Sequence, residues 1–225
     1  MKDKRTSLSI FDTFKTKGLE LTGEATRQRS IIVALATQSN PTERTRTAIS
    51  QRIAEENGTV WKNIYSGIFR DLDEILIPLN LVKEEGRLPL KRGPKALQEK
   101  GIPYYQLTPR GMLVSLSLDE IAGREKMLKR FFADIECEAE LRDGINRLAE
   151  MAPKLAHSLI EKYVKAFCTH RLDDLLPLNF EKLRSVSDES LLILKEILDG
   201  FVKRPKKDRE VFVDFLDRIA SVKPP

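Results

Sequence analysis

The chain has 225 residues with a hydrophobic fraction of 41%, enough at this length for one domain and a helical extension. Charged residues make up 32% and leave a net +5, which leans toward an anionic partner, while two cysteines, Cys137 and Cys168, are too few for a disulfide framework. No apolar stretch approaches the roughly 18 residues of a membrane span and the N-terminus lacks the apolar segment of a signal peptide, so a cytoplasmic protein without a membrane partner is expected.

Residues 1–23 mix Lys2, Lys4, Arg5, Lys15 and Lys17 with Leu8, Ile10, Phe11 and Phe14 at the spacing of a short amphipathic helix. They read as a basic N-terminal arm, docked on the next domain or laid along a phosphate backbone. Glu24 to Gln38 follows as a helix ended by Ser39-Asn40-Pro41. Thr45 to Glu56 is a second, with Ile49 and Ile53 on one face and Asn57-Gly58 as its stop. Thr59 stands where the N-cap of a third helix, 59–79, belongs. At about 100° per residue, Trp61, Ile64, Ile68, Leu72, Ile75 and Leu79 share one stripe, and Thr59, Asn63, Ser66 and Arg70 fall opposite. Such a polar face can donate and accept hydrogen bonds, as reading base edges requires. Two helices joined this tightly, the second with a polar outer face, suggest a helix-turn-helix.

Past Asn80, Leu81-Val82 starts an extended segment, and residues 87–100 then carry five cations (Arg87, Lys91, Arg92, Lys95, Lys100) against one anion, Glu99, a net of +4. Pro89, Gly93 and Pro94 keep this loop irregular. Ile102–Leu107 returns as a strand, and Thr108-Pro109 reads as an N-cap with proline at the first helical position. This order, with Ile49-Ser-Gln-Arg-Ile-Ala54 in the support helix and Tyr105-Gln-Leu-Thr-Pro-Arg-Gly111 closing the loop, resembles the winged helix-turn-helix fold of the MarR, PadR and related prokaryotic transcription regulators over residues 24–118. Two departures are Asn80 in place of the usual glycine before Leu-Val, and a longer wing.

After Ser117 the chain reads as helical. Ser117-Leu-Asp-Glu120 has the pattern of a capping box opening a helix over Leu118–Phe132. Further helices are expected over Glu136–Ala152, over Lys154–His170 with Leu155, Leu159, Tyr163 and Phe167 at i,i+4 intervals, after Ser187, and from Pro205 onward. The adjacent aromatics Phe131-Phe132 suggest a homodimer contact, and residues 119–225 a helical bundle for dimerisation or for a protein partner.

The fold class expected is therefore mainly α: a winged helix-turn-helix domain with a small β-wing, then an all-helical C-terminal region. No catalytic group, cofactor motif or metal set stands out. Cys168 and His170, two apart on a helix, point to different faces, which argues against zinc ligation with Cys137 and His157. The resemblance implies a nucleoid-associated regulator bound to double-stranded DNA. On helix 59–79 in the major groove, Asn63 and Arg70 would contact bases, with Thr59 and Ser66 on the same face, while Lys62 and the wing residues Arg87, Lys91, Arg92 and Lys95 would hold the phosphate backbone. A winged helix used for protein assembly is the alternative.

Overall fold

Thr22 accepts a hydrogen bond from the Ala25 amide, and helix α1 (Gly23–Thr37) starts there in a computed structural model that describes residues 6–15, 20–90 and 100–220. Asn40 caps a 3-10 turn (Pro41–Arg44), and Thr45 caps α2 (Arg46–Glu56) by accepting from the Ala48 amide. The end of α2 falls on Asn57-Gly58, as its sequence predicts. Gly58 has φ 60°, its amide donates to Glu55 at 3.2 Å, and the Thr59 amide donates to Ala54 at 2.9 Å. These two bonds are a Schellman stop, and the left-handed residue they need is the one glycine tolerates.

That stop corrects the expected cap. Thr59 closes α2, and the N-cap of α3 (Trp61–Arg70) is Val60, which has no side-chain cap bond. Nor does a regular helix run over 59–79. At Asp71 it widens into a π-helical turn (Asp71–Leu76) and finishes at Asn80, whose φ of 54° is the left-handed conformation that asparagine tolerates. Ile68 and Leu72 are buried as the stripe predicts, and Trp61, Ile64 and Leu79 are half-buried. The wider turn carries the next buried position from Ile75 to Leu76.

Strands β1 (Val82–Leu88) and β2 (Ile102–Leu107) pair antiparallel, with a register irregularity between Glu84 and Gly86, and Thr45 makes an isolated bridge to Tyr104. Thr108 then caps α4 (Pro109–Leu116): its hydroxyl accepts from the Gly111 amide at 3.2 Å and donates to the Asn80 carbonyl at 2.6 Å. Helix α4 lies so close to Leu81 that a Cβ on Gly111 would sit 2.0 Å from the Leu81 carbonyl oxygen. Thr108 and Gly111 of the Tyr105–Gly111 motif thus both act at one junction. The core below it is built by Ile31 and Leu35 of α1, Ile49 and Ile53 of α2, Ile68 and Leu72, and Leu113.

The N-terminal segment is not helical over its described residues. Leu8 and Ile10 are buried, the Ser9 amide donates to Gln28 at 2.8 Å, and Thr13 bridges Leu21, so the segment is docked in extended form. Lys2, Lys4, Arg5 and Lys17 lie outside the described residues.

The predicted capping box at Ser117 does not start a helix either. Ser117 donates back to Val114 at 2.7 Å, Asp119 pairs with Arg124 and His157, and Glu120 takes two 2.7 Å bonds from Arg29. Tertiary partners take the side chains that a local cap would use, and α5 (Arg124–Asp134) starts after Gly123. Helices α6 (Ala139–Met151) and α7 (Pro153–Cys168) pack together, as do α4 and α7. In α7 Tyr163 is buried as expected, but its companions are Ala156, Ile160 and Val164, while Leu155, Leu159 and Phe167 are half-buried. Phe131 and Phe132 are both buried, edge to face at 5.2 Å. The aromatics expected at a two-fold contact therefore belong to the core of their own chain.

The chain divides into two units, Met1–Arg184 and Ser185–Pro225, with the boundary inside α8 (Phe180–Val186). The second unit holds α9 (Glu189–Lys203), capped by Asp188 through the Ser190 amide, and α10 (Lys206–Ala220), which follows Pro205. Ten α-helices and one two-stranded sheet make up the described residues, in which no helix is long and apolar enough to cross a membrane.

Candidate nucleic-acid interface

The Schellman stop sets α3 with one face in solvent. Lys62, Asn63, Ser66 and Arg70 are all exposed on it, Thr59 is exposed in the turn before it, and residues 59–70 contain no carboxylate. The Lys62 ammonium lies 6.0 Å from the Trp61 ring centroid. Along the neighbouring stripe, Trp61, Tyr65 and Phe69 form a half-buried ladder, with centroids 5.3 Å and 4.2 Å apart. These rings stiffen the helix beneath its polar side.

One member of this site is absent from the sequence reading. Arg27 of α1 reaches across α3 over Gly67, where a Cβ would lie 2.9 Å from its Nε. The guanidinium donates to the fully buried Asp71 at 2.8 Å, and Arg70 stands 3.6 Å from the other carboxylate oxygen. Two guanidiniums share one carboxylate, so the local charge stays positive. Arg27, Asn63, Ser66 and Arg70 line a hollow of about 400 Å³ on this face. A glycine inside a helical pattern is the one signal in the sequence that something approaches there.

Arg46, at the first position of α2, ties three elements. Its Nε donates to the Tyr105 hydroxyl at 2.7 Å, its Nη1 donates to Asp73 at 2.9 Å, and its guanidinium carbon lies 4.5 Å from the Phe69 ring centroid. Burial raises the Tyr105 hydroxyl above its ordinary pKa, and the charge and hydrogen bond of Arg46 only partly oppose this. The hairpin base is thereby fixed against α2 and α3.

The expected wing cations fare unequally. Arg87 is exposed on β1, but its guanidinium grips Glu84 through bonds of 2.6 Å and 3.1 Å and donates to the Lys100 carbonyl. Glu85 pairs with Arg44. The hairpin base is thus charge-balanced, and Arg87 is already engaged. Lys91, Arg92 and Lys95 lie outside the described residues.

Elsewhere, among the described residues no three His, Cys, Asp or Glu side chains converge to hold a metal ion. His157 faces the Leu116 carbonyl at 3.2 Å and Asp119 at 3.0 Å, and burial pushes the Cys168 thiol up to about 12. Set against protein-family models, curated proteins and solved structures, the chain gives no significant match.

Proposed function

We propose that residues 24–118 form a winged helix-turn-helix that binds double-stranded DNA as a transcription regulator, with α3 in the major groove and the hairpin along the backbone. The observation that carries this reading is the exposed, carboxylate-free face of α3, where Lys62, Asn63, Ser66 and Arg70 stand together on a helix braced from behind. Asn63 has the geometry to pair with adenine and Arg70 with guanine, while Lys62 suits phosphate. The order of helices and strands, with the Thr45–Tyr104 bridge adding a second short pairing beside that of β1 and β2, supports the fold assignment. Arg87 contributes only if it leaves Glu84, so Lys62→Ala should weaken binding more than Arg87→Ala.

Titration of labelled random duplex with the purified protein at rising salt tests the reading. Log K should fall linearly with log salt at roughly −0.9 per phosphate contact. Asn63→Ala, measured on a selected site, should relax preference at one base pair, at a cost of about 1–3 kcal/mol for the preferred base. Absence of duplex binding at low salt, or an equal loss on every sequence with Asn63→Ala, would refute base reading by α3. A winged helix serving protein assembly would show the first of these results.

A further inference from the structure

Helices α9 and α10 are 15 residues each, and neither contains a buried residue. They touch along a thin seam, where Phe201 and Phe212 lie 6.1 Å apart and the Arg209 guanidinium sits over Phe201 at 5.8 Å. Two helices of this length with no core are marginal in water. Yet their apolar residues span about half of the circumference of α10 and more than half of that of α9, far more than one neighbour covers. Ten large apolar residues of this unit are exposed, among them Leu192, Val202, Val211, Phe215 and Ile219, each between 56% and 73% open. At roughly 150–200 Å² for a fully open residue, the ten leave on the order of 900 Å² of apolar surface, against about 800 Å² per partner in a stable interface. A groove of about 620 Å³ runs between the helices past Ile193, Ile197 and Gly200.

The charges say what covers this surface. The loop end of the hairpin carries five cations, Lys203, Arg204, Lys206, Lys207 and Arg209, against three anions, Asp199, Asp208 and Glu210, the last 3.6 Å from Lys206. The opposite end carries Asp188, Glu189, Asp214 and Asp217 against Lys195 and Arg218. The hairpin is therefore positive at one end and negative at the other. A second hairpin laid antiparallel places each basic end on an acidic end, and a two-fold axis satisfies both at once. We propose that the α9–α10 hairpin pairs with the same hairpin of a second copy of this chain, closing an antiparallel four-helix bundle. This assembly is independent of DNA binding, since it uses no residue of α3 or of the β-hairpin.

Sedimentation equilibrium on the full chain at micromolar concentration, without DNA, should give a dimer. Leu192→Glu with Val202→Glu changes two of the most open apolar residues and should weaken the dimer at least about a hundredfold. Because neither residue belongs to a core, the circular dichroism and melting of the first unit should be unchanged. Lys206→Glu with Lys207→Glu should also weaken association, and adding Asp214→Lys with Asp217→Lys to the same chain should restore it. A monomeric parent, which would mean that a different protein or another segment covers the hairpin, overturns the proposal. So does an assembly larger than a dimer, or a dimer insensitive to both sets of changes.

Discussion

Replacing Gly111 by alanine adds one methyl group at the closest approach met by any described glycine. The new Cβ would lie 2.0 Å from the Leu81 carbonyl oxygen and 2.9 Å from its carbon, and both belong to backbone that cannot swing aside as a side chain can. The same stretch is pinned by the Thr108 amide, which donates to Leu81 at 3.0 Å, and by the Thr108 hydroxyl on Asn80. Relief therefore means moving the start of α4 by about 1 Å or more, at the upper end of the roughly 1–3 kcal/mol typical of overpacking. Alanine gains at most about 1 kcal/mol in helix propensity, so a net loss of about 2 kcal/mol is expected. In urea, with a slope of about 2–3 kcal/mol per molar, the midpoint should fall by somewhat under 1 M. Gly144→Ala is the control: that glycine is exposed inside α6 with nothing within 4 Å of the added carbon, and the same substitution should stabilise by about 0.5–1 kcal/mol. Equal midpoints for Gly111→Ala and the parent would show that α4 does not lie against Leu81 as described.

Ile68→Ala, at a fully buried position on α3, should cost about 2–5 kcal/mol in a denaturant titration, and a parent-like midpoint would mean the helix is rotated. Burial works to raise the Glu120 carboxyl, but the hydrogen bonds and charge of Arg29 outweigh it and hold the group below its ordinary value. A depressed folded pKa gives stability that is present above the unfolded value and lost on acidification, so melting temperature should drop below about pH 4.5. Asp119, held down by Arg124 and His157 against the same effect of burial, adds to this in the same direction. The gap in melting temperature between the parent and Glu120→Gln should close between about pH 6 and pH 3, and a constant gap would remove Arg29–Glu120 as its source.

What the sequence discloses about this chain is mostly what is local. Thr45, the Asn57-Gly58 stop, Asn80 and the Thr108 cap are each decided by a few neighbouring residues, and each is found where its pattern puts it. The misreadings are positions where one group had two local uses or a distant partner. Thr59 could open α3 or close α2, and the glycine before it favours closure. Asp119 and Glu120 match a capping box, yet His157 and Arg29 take them. On α3 the exposed polar face was legible from periodicity, because Lys62, Asn63, Ser66 and Arg70 need only a helix to stand together. Arg27 was not legible, because its place depends on Asp71, 44 residues away, and on the space over Gly67. The surplus of apolar residues in α9 and α10 was visible in sequence, but its exposure emerges only when no burial partner is found within either helix.

The Arg46 junction gives the first unit a gauge of fixed width. A guanidinium is planar and rigid, and here its ends are held by Asp73 beyond α3 and by Tyr105 on β2, with Phe69 against its face. The separation of α3 from the hairpin is consequently the span of one side chain, not the sum of two independent motions. Any surface that engages both must match that span, which selects partners by their dimensions before a single specific bond is made. Lysine at this position would keep the charge and lose the gauge.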